Sequence, residues 1–243
     1  MEIIEDIVYG NEKLDLYLPE NGEFDLFVYF HCGGFTGGDK GNHTHIFRHL
    51  ANAGVAAASV EYRKYPQAKY PDFVEDAAQA VAWLKENIAA YGKCKRIFVG
   101  GSSAGGYLSM MLCFDKRWLG EYGIDPMDID GFIHDAGQPT KHFSVLKELG
   151  MEGKRIVVDE AAPLYYVGVA ETYPPMTFIV SDSDIKNRLE QTQLMISTLR
   201  RFDHEVPMVL RNGKHIHYIK EIGEDGSSPF AEMVLEFIDN CSQ

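Results

Sequence analysis

The chain has 243 residues, 45% of them hydrophobic and 12% aromatic, which supports a sizeable core and excludes disordered or collagen-like states. Thirty-six acids against 23 Lys and Arg leave a formal charge of −13, the wrong sign for a groove that neutralises phosphates, so nucleic acid is not an expected partner. No apolar run approaches the ~18 residues of a membrane span, so no membrane association is expected. The opening MEIIEDIVYG carries acids where an export signal needs bases. Cys32, Cys94, Cys113 and Cys241 form no CxxC pair and read as reduced thiols, which together with the missing export signal implies a cytoplasmic protein.

Strand-like and helical runs alternate along the chain. Residues 3–8 and 14–18 alternate apolar and polar around a Gly-Asn-Glu-Lys turn and predict a hairpin. Residues 26–31 and 55–60 are continuous apolar runs, as expected of strands buried on both faces. Over 73–90, Val74, Ala77, Ala78, Val81, Leu84 and Ile88 fall on one helical stripe, opened by Pro71-Asp72 and stopped by Gly92. Strands follow at 96–99, 132–134, 176–180 and 207–210, and helices at 104–112, 188–200 and 230–238. This alternation predicts an α/β fold with a mostly parallel sheet of about eight strands, helices on both faces and the hairpin antiparallel at one edge. No linker divides the chain, so one domain is expected over 1–243. The stretch 138–173, with a short helix at 143–149 and the segment DEAAPLYY, fits the alternation worst and reads as a small cap-like insertion that shapes a pocket.

The strongest chemical signal is RIFVGGSSAGGYLSMML, where a buried strand meets Gly101-Ser102-Ser103-Ala104-Gly105 and a helix follows. This is G-x-S-x-G in the strand–turn–helix context that it requires. A nucleophile on a tight, strained turn needs neighbours without Cβ two residues to either side, and only Ser103 has them. A plain phosphate-binding turn is the bland alternative, but neither G-x-G-x-x-G nor G-x-x-x-x-G-K-[ST] can be fitted. Gly33 to Gly38-Asp39 also fails as a phosphate loop, because Asp39 stands where Lys is needed.

Attack of a hydroxyl on a carbonyl creates an oxyanion, which preorganised backbone N–H groups stabilise. In VYFHCGGFTGGDK, Gly33 and Gly34 can present such groups, joined by the N–H of Ala104. A serine also needs a base, and the base an orienting carboxylate, in the chain order Ser, Asp or Glu, His. Ser181-Asp182-Ser183-Asp184 follows one strand and Lys214-His215-Ile216-His217 the next. Asp184 is preferred as the acid because it lies far enough beyond Val180 to turn back, with Asp182 the alternative. His215 is preferred as the base because it lies near Gly213, with His217 the alternative. His43, His45 and His49 could place a metal-binding pair at i, i+4, but no acid lies at a useful spacing, so a solvated helix face is expected and no metal.

Together these motifs resemble the α/β-hydrolase superfamily, within it the hormone-sensitive-lipase-like esterases and small bacterial carboxylesterases of acetyl esterase type. HCGGFTGGDK looks like the family's HGGGF-x-x-G loop, EYR with YPDFVEDAAQAVAWL like its YRL…P…DA…A…WL block, and GGSSAGGY like its GDSAGG elbow. SDSD is similar to the acid loop and GKHIHY to the histidine segment. The chain departs from that pattern at Cys32, Ser102 and Ile216-His217. With 30 residues before the loop, the resemblance leads to the expectation that the N-terminal cap of lipase-like members is missing and that acyl groups are short.

The resemblance implies a serine carboxylesterase without cofactor, acting on acetyl-type esters of small molecules or sugars. Ser103, His215 and Asp184 would do the chemistry, and Gly33, Gly34 and Ala104 would form the oxyanion hole. Phe35, Gln138, His142 and Phe143 are candidate pocket residues. An amide hydrolase on the same fold, such as a formamidase or small peptidase, is the alternative, and a binding protein that has lost turnover is a remote one. The oligomeric state is left open, a homodimer included.

Overall fold

An antiparallel hairpin, β1 (Glu2–Tyr9) and β2 (Glu12–Leu18), begins the sheet, followed in the chain by β3 (Glu23–Phe30), β4 (Val55–Val60), β5 (Lys93–Ser102), β6 (Gly131–Asp135), β7 (Met176–Ser183) and β8 (Met208–Lys214). The structure is a computed structural model that describes residues 1–241. The strands lie side by side in the order β1-β2-β4-β3-β5-β6-β7-β8. Only the β1–β2 and β2–β4 pairings are antiparallel, and all others are parallel. The expected mostly parallel sheet with an antiparallel edge is therefore what forms.

The α-helices are α1 (Thr44–Asn52), α2 (Asp72–Asn87), α3 (Ala104–Phe114), α4 (Lys116–Gly120), α5 (Phe143–Glu148), α6 (Arg188–Arg201) and α7 (Pro229–Asn240). Alternation along β3 explains the layering. Leu26, Val28 and Phe30 enter the hydrophobic cluster shared with α2, α3 and α6, whereas Phe27 and Tyr29 enter the one shared with α1 and α7. Each face of the sheet is covered, so a central strand reads as an unbroken apolar run. Burying side chains of this size contributes roughly 1.5–3 kcal/mol each relative to exposure.

Several boundaries differ from the sequence expectation. β5 continues to Ser102 rather than stopping at Val99, because Gly100 and Gly101 are strand residues here. A Cβ on Gly100 would lie 2.8 Å from the Phe27 ring, so the glycine makes room for a neighbouring core side chain instead of making a turn. β7 likewise runs to Ser183 and β8 to Lys214, with an irregularity in their pairing between Ser181 and Ser183. α4, a single helical turn, was not expected from the sequence. The parallel strands β5, β7 and β8 all end on one edge of the sheet, and the loops leaving them carry the chemistry-bearing residues.

Candidate active site

Ser103 sits between β5 and α3 with φ 57° and ψ −108°, a left-handed conformation that costs free energy in a residue with a Cβ. The surroundings hold it there. Its N–H donates to the Asp135 carbonyl at 2.8 Å and its carbonyl accepts from the Tyr107 N–H at 3.0 Å. A Cβ on Gly105 would stand 1.9 Å from the Phe30 carbonyl oxygen, and one on Gly101 would stand 2.6 Å from it. Both flanking glycines are thus required by backbone that passes directly behind the turn, as the motif spacing implies.

The structure brings His215 and Asp184 to this serine. His215 Nε2 lies 2.8 Å from Ser103 Oγ, and His215 Nδ1 lies 2.6 Å from Asp184 Oδ1. With Nδ1–H given to the carboxylate, Nε2 is left to accept the serine proton. The Asp184 side chain is buried (1% exposed), and its oxygens also accept from the Ile185 and Ser181 N–H groups. The two alternates are engaged elsewhere. Asp182 accepts from the Gly213 N–H at 2.9 Å, clamping the irregular pairing of β7 with β8. His217 Nδ1 lies 2.8 Å from the Lys214 carbonyl oxygen, and Nε2 faces Glu221 at 3.5 Å. Ile216, between the two histidines, takes a left-handed conformation (φ 45°) that turns them apart.

The two glycines expected to form the oxyanion loop have positive φ, 139° at Gly33 and 62° at Gly34, where residues with a Cβ are disfavoured. The Gly33 carbonyl accepts from the Thr36 and Gly37 N–H groups, and the Gly34 carbonyl from the Ser144 hydroxyl at 2.6 Å. With their carbonyls so fixed, the N–H groups of Gly33 and Gly34 donate to no other described residue. The Ala104 N–H opens α3, where the helix dipole also favours negative charge. Behind the loop, His31 Nε2 bonds Glu61 Oε1 at 2.9 Å and the Tyr62 hydroxyl donates to the His31 carbonyl at 2.7 Å. Burial raises the Glu61 carboxyl, but the bonds from His31 and Lys64 outweigh it and hold the group at about 2. Sequence reasoning did not single out this brace.

It also missed a buried network beneath the elbow. Tyr29 donates to Ser102 Oγ at 2.9 Å, Ser102 donates to Asp135 Oδ2, and the Tyr218 hydroxyl donates to Asp135 Oδ1. Ser102 stands where the resemblance expects an aspartate, and Asp135 is its register partner on β6. The carboxylate has in effect moved one strand across. Burial pushes Asp135 up to about 7 despite the two hydroxyl donors, which favour its ionised form. An unfolded aspartate titrates near 3.9. The folded state therefore binds the extra proton between roughly pH 4 and 7, and Asp135 costs stability progressively as pH rises through that window. Asp135→Asn removes the titration, so its stability relative to wild type should climb from pH 4 to 7 and level off above, as read by denaturant melts across pH. A constant difference would mean that Asp135 ionises as it does in the unfolded chain.

Of the four candidate pocket residues, two are placed otherwise. Phe35 is fully buried and stacks on Phe73 with ring centroids 4.0 Å apart; its positive φ (63°) turns it into the core rather than toward the oxyanion glycines. His142 is also buried, where its Nδ1 accepts from the Ser144 N–H at the start of α5, and burial holds it neutral. Gln138 and Phe143 do line a cavity of about 560 Å³ together with Ile156, Ile185, Arg188 and Gln191. The Phe143 ring approaches to 3.1 Å of where a Cβ on Gly34 would be, which joins this cavity to the oxyanion loop. His45 and His49 do lie on a helix, but not on a solvated face. His49 Nδ1 accepts from the Ser228 N–H at 2.8 Å and its Nε2 faces Glu232 at 3.1 Å, so it ties α1 to α7.

Residues 27–133 match a family model described as the alpha/beta hydrolase fold. Over 114 residues the chain is 35% identical to a probable isoprenylcysteine alpha-carbonyl methylesterase of Oryza sativa subsp. japonica, and over 104 residues 36% identical to the esterase LipI of Mycobacterium tuberculosis. These alignments cover 44% and 42% of this chain but only 27% and 32% of those relatives. Among solved structures, a hyperthermophilic esterase from the archaeon Pyrobaculum calidifontis superposes with a TM-score of 0.77 at 22% identity, covering 97% of this chain and 85% of that one. A truncated carbohydrate esterase from gut microbiota gives 0.80 at 16% identity, covering 100% and 97%. No helix among the described residues is long and apolar enough to cross a membrane. Matched in architecture along its whole length and in sequence across the oxyanion loop and the elbow, the chain is an α/β-hydrolase-fold protein.

Proposed function

We propose that the chain is a serine carboxylesterase acting on short-acyl, acetyl-type esters of small molecules or sugars. The observation that carries this reading is the continuous hydrogen-bonded path from Asp184 through His215 to Ser103 Oγ, at 2.6 and 2.8 Å. Ser103 Oγ attacks the ester carbonyl while His215 Nε2 takes its proton. The oxyanion that forms is met by the N–H groups of Gly33, Gly34 and Ala104. His215 then protonates the leaving alcohol, and the acyl-enzyme is released by water activated by the same imidazole. Asp184 keeps His215 in the productive tautomer and stabilises its charged form. Only the chain's own groups and water take part. The esterases named among the relatives support ester over amide bonds.

Residues 138–173 act as a minimal cap within one domain, contributing Gln138, Phe143 and Ile156 to the cavity wall. A cavity of about 560 Å³, set against Gly34 through Phe143, leaves room for one small substituent of the substrate. On p-nitrophenyl acetate, butyrate and octanoate, kcat/KM should fall at least tenfold from the first to the last, and matched anilides should react more slowly still. A flat or rising profile overturns the short-acyl assignment, faster cleavage of the anilides overturns ester preference, and no turnover on any of them overturns the esterase reading.

A further inference from the structure

Arg188, the first residue of α6, is buried (4% exposed), yet its Nη1 has no hydrogen-bond partner and no carboxylate among the described residues forms an ion pair with it. A buried guanidinium without a partner is costly, and folded chains rarely keep one unless something else completes the pair. Burial lowers Arg188 to about 10, and the only opposing influence is the charge of Asp184, whose oxygens are already taken by His215, Ile185 and Ser181.

The guanidinium lines the cavity beside the acid loop. Lys154, Arg155 and Lys186 line it as well, and no Asp or Glu does. In a chain of net charge −13, a cavity wall with four cations and no acid is a local reversal of sign. Ile156, Ile185 and Phe143 supply apolar surface between the cations and the oxyanion loop, which Phe143 touches at Gly34. A ligand anchored at Arg188 would thereby lie against Phe143, whose ring abuts Gly34.

We propose that Arg188 is the specificity-determining residue of this pocket and that the preferred substrate is a small ester carrying a compact anion, a carboxylate or a phosphate, on the part that occupies the cavity. The anion would complete the pair that the fold leaves open, and the planar fork of arginine suits either group. This rests on the esterase reading for its chemistry, but the anion site itself does not.

The test compares neutral and anionic substrates of matched shape. For the alcohol side these are the acetate esters of 3- and 4-hydroxybenzoate against those of the corresponding hydroxybenzamides. For the acyl side they are monomethyl glutarate against methyl glutaramate. Wild type should prefer the anionic member of at least one pair by tenfold or more in kcat/KM, mainly through KM. Arg188→Met should bring that ratio close to one, and Arg188→Lys, which keeps the charge without the fork, should retain part of it. A wild-type ratio near one in all pairs, or a preference that survives Arg188→Met, overturns the proposal.

If wild type cleaves none of these esters, nor phenyl acetate, the esterase reading fails and the anion site is judged by binding alone. Titration calorimetry with benzoate, glutarate and inorganic phosphate should then give at least one dissociation constant tenfold weaker in Arg188→Met; equal constants overturn the site. Tighter binding of phosphate than of the carboxylates assigns a phosphate-bearing substrate, and the reverse order a carboxylate. Without ligand, Arg188→Met should melt no lower than wild type, since it removes an unpaired buried charge. A marked fall in its melting temperature would instead make Arg188 a structural residue and overturn the proposal.

Discussion

Replacing Ser103 by alanine should lower kcat on p-nitrophenyl acetate by about 10⁴–10⁶-fold, leaving a residual rate from the oxyanion hole and binding. The fold should be undisturbed. Among the described residues Ser103 Oγ bonds only His215, while the strained elbow is held by backbone, through the Asp135 carbonyl and the close passage of Phe30 behind Gly101 and Gly105. Circular dichroism and the melting temperature of Ser103→Ala should therefore match wild type. Ser102→Ala is the discriminating control. Its hydroxyl is fully buried and committed to Tyr29 and Asp135, so it cannot reach a substrate. That variant should lose stability while the chemistry persists. Activity surviving in folded Ser103→Ala would remove the nucleophile assignment and the mechanism with it.

The sheet was readable from the sequence where burial on both faces leaves an unambiguous mark. β4 has the boundaries that its apolar run predicts, and β3 and α2 differ from expectation only at their ends. What could not be read depended on space rather than pattern. Gly100 and Gly101 looked like the start of a turn because a one-dimensional reading cannot see Phe27 or the Phe30 carbonyl crowding against them. α1 did carry a helical signal, with Ile46, Phe47, Leu50 and Ala51 buried, but its histidines drew attention as metal ligands when one of them ties two helices together. α4 is too short for periodicity to show.

For the candidate site, the elbow at Ser103 was legible because its geometry writes itself into sequence as two missing side chains. The proposed acid and base each left two choices, because their directions are set by the irregular pairing at Gly213 and the left-handed turn at Ile216, which no residue spacing encodes. Phe35 illustrates the opposite error: adjacency in sequence to the oxyanion glycines did not mean adjacency in space. Asp135 did leave a signal, a charged residue directly after the strand expected over 132–134, whereas Arg188 stands in the polar stretch SDSDIKNRLEQ and left none. Neither was singled out from the sequence, and both are buried.

Asp184→Asn should cost about 10⁴-fold in kcat, and His215→Ala about 10⁴–10⁶-fold, whereas Asp182→Asn and His217→Ala should stay within about threefold of wild type, or under 1 kcal/mol of barrier. An asparagine at 184 can present an amide N–H to His215 Nδ1, which would force that nitrogen to accept and turn Nε2 into a donor unable to take the Ser103 proton. Burial of Asp184 leaves no water to repair the fault. Asp182, by contrast, is exposed and accepts from the Gly213 N–H, so its loss loosens the local pairing and leaves the imidazole in place. Since the three residues act as one unit, Ser103→Ala combined with Asp184→Asn should be no slower than Ser103→Ala alone. Equal damage from Asp182→Asn and Asp184→Asn would mean that the clamp at Gly213, not the carboxylate facing His215, governs catalysis, and the acid would have to be reassigned.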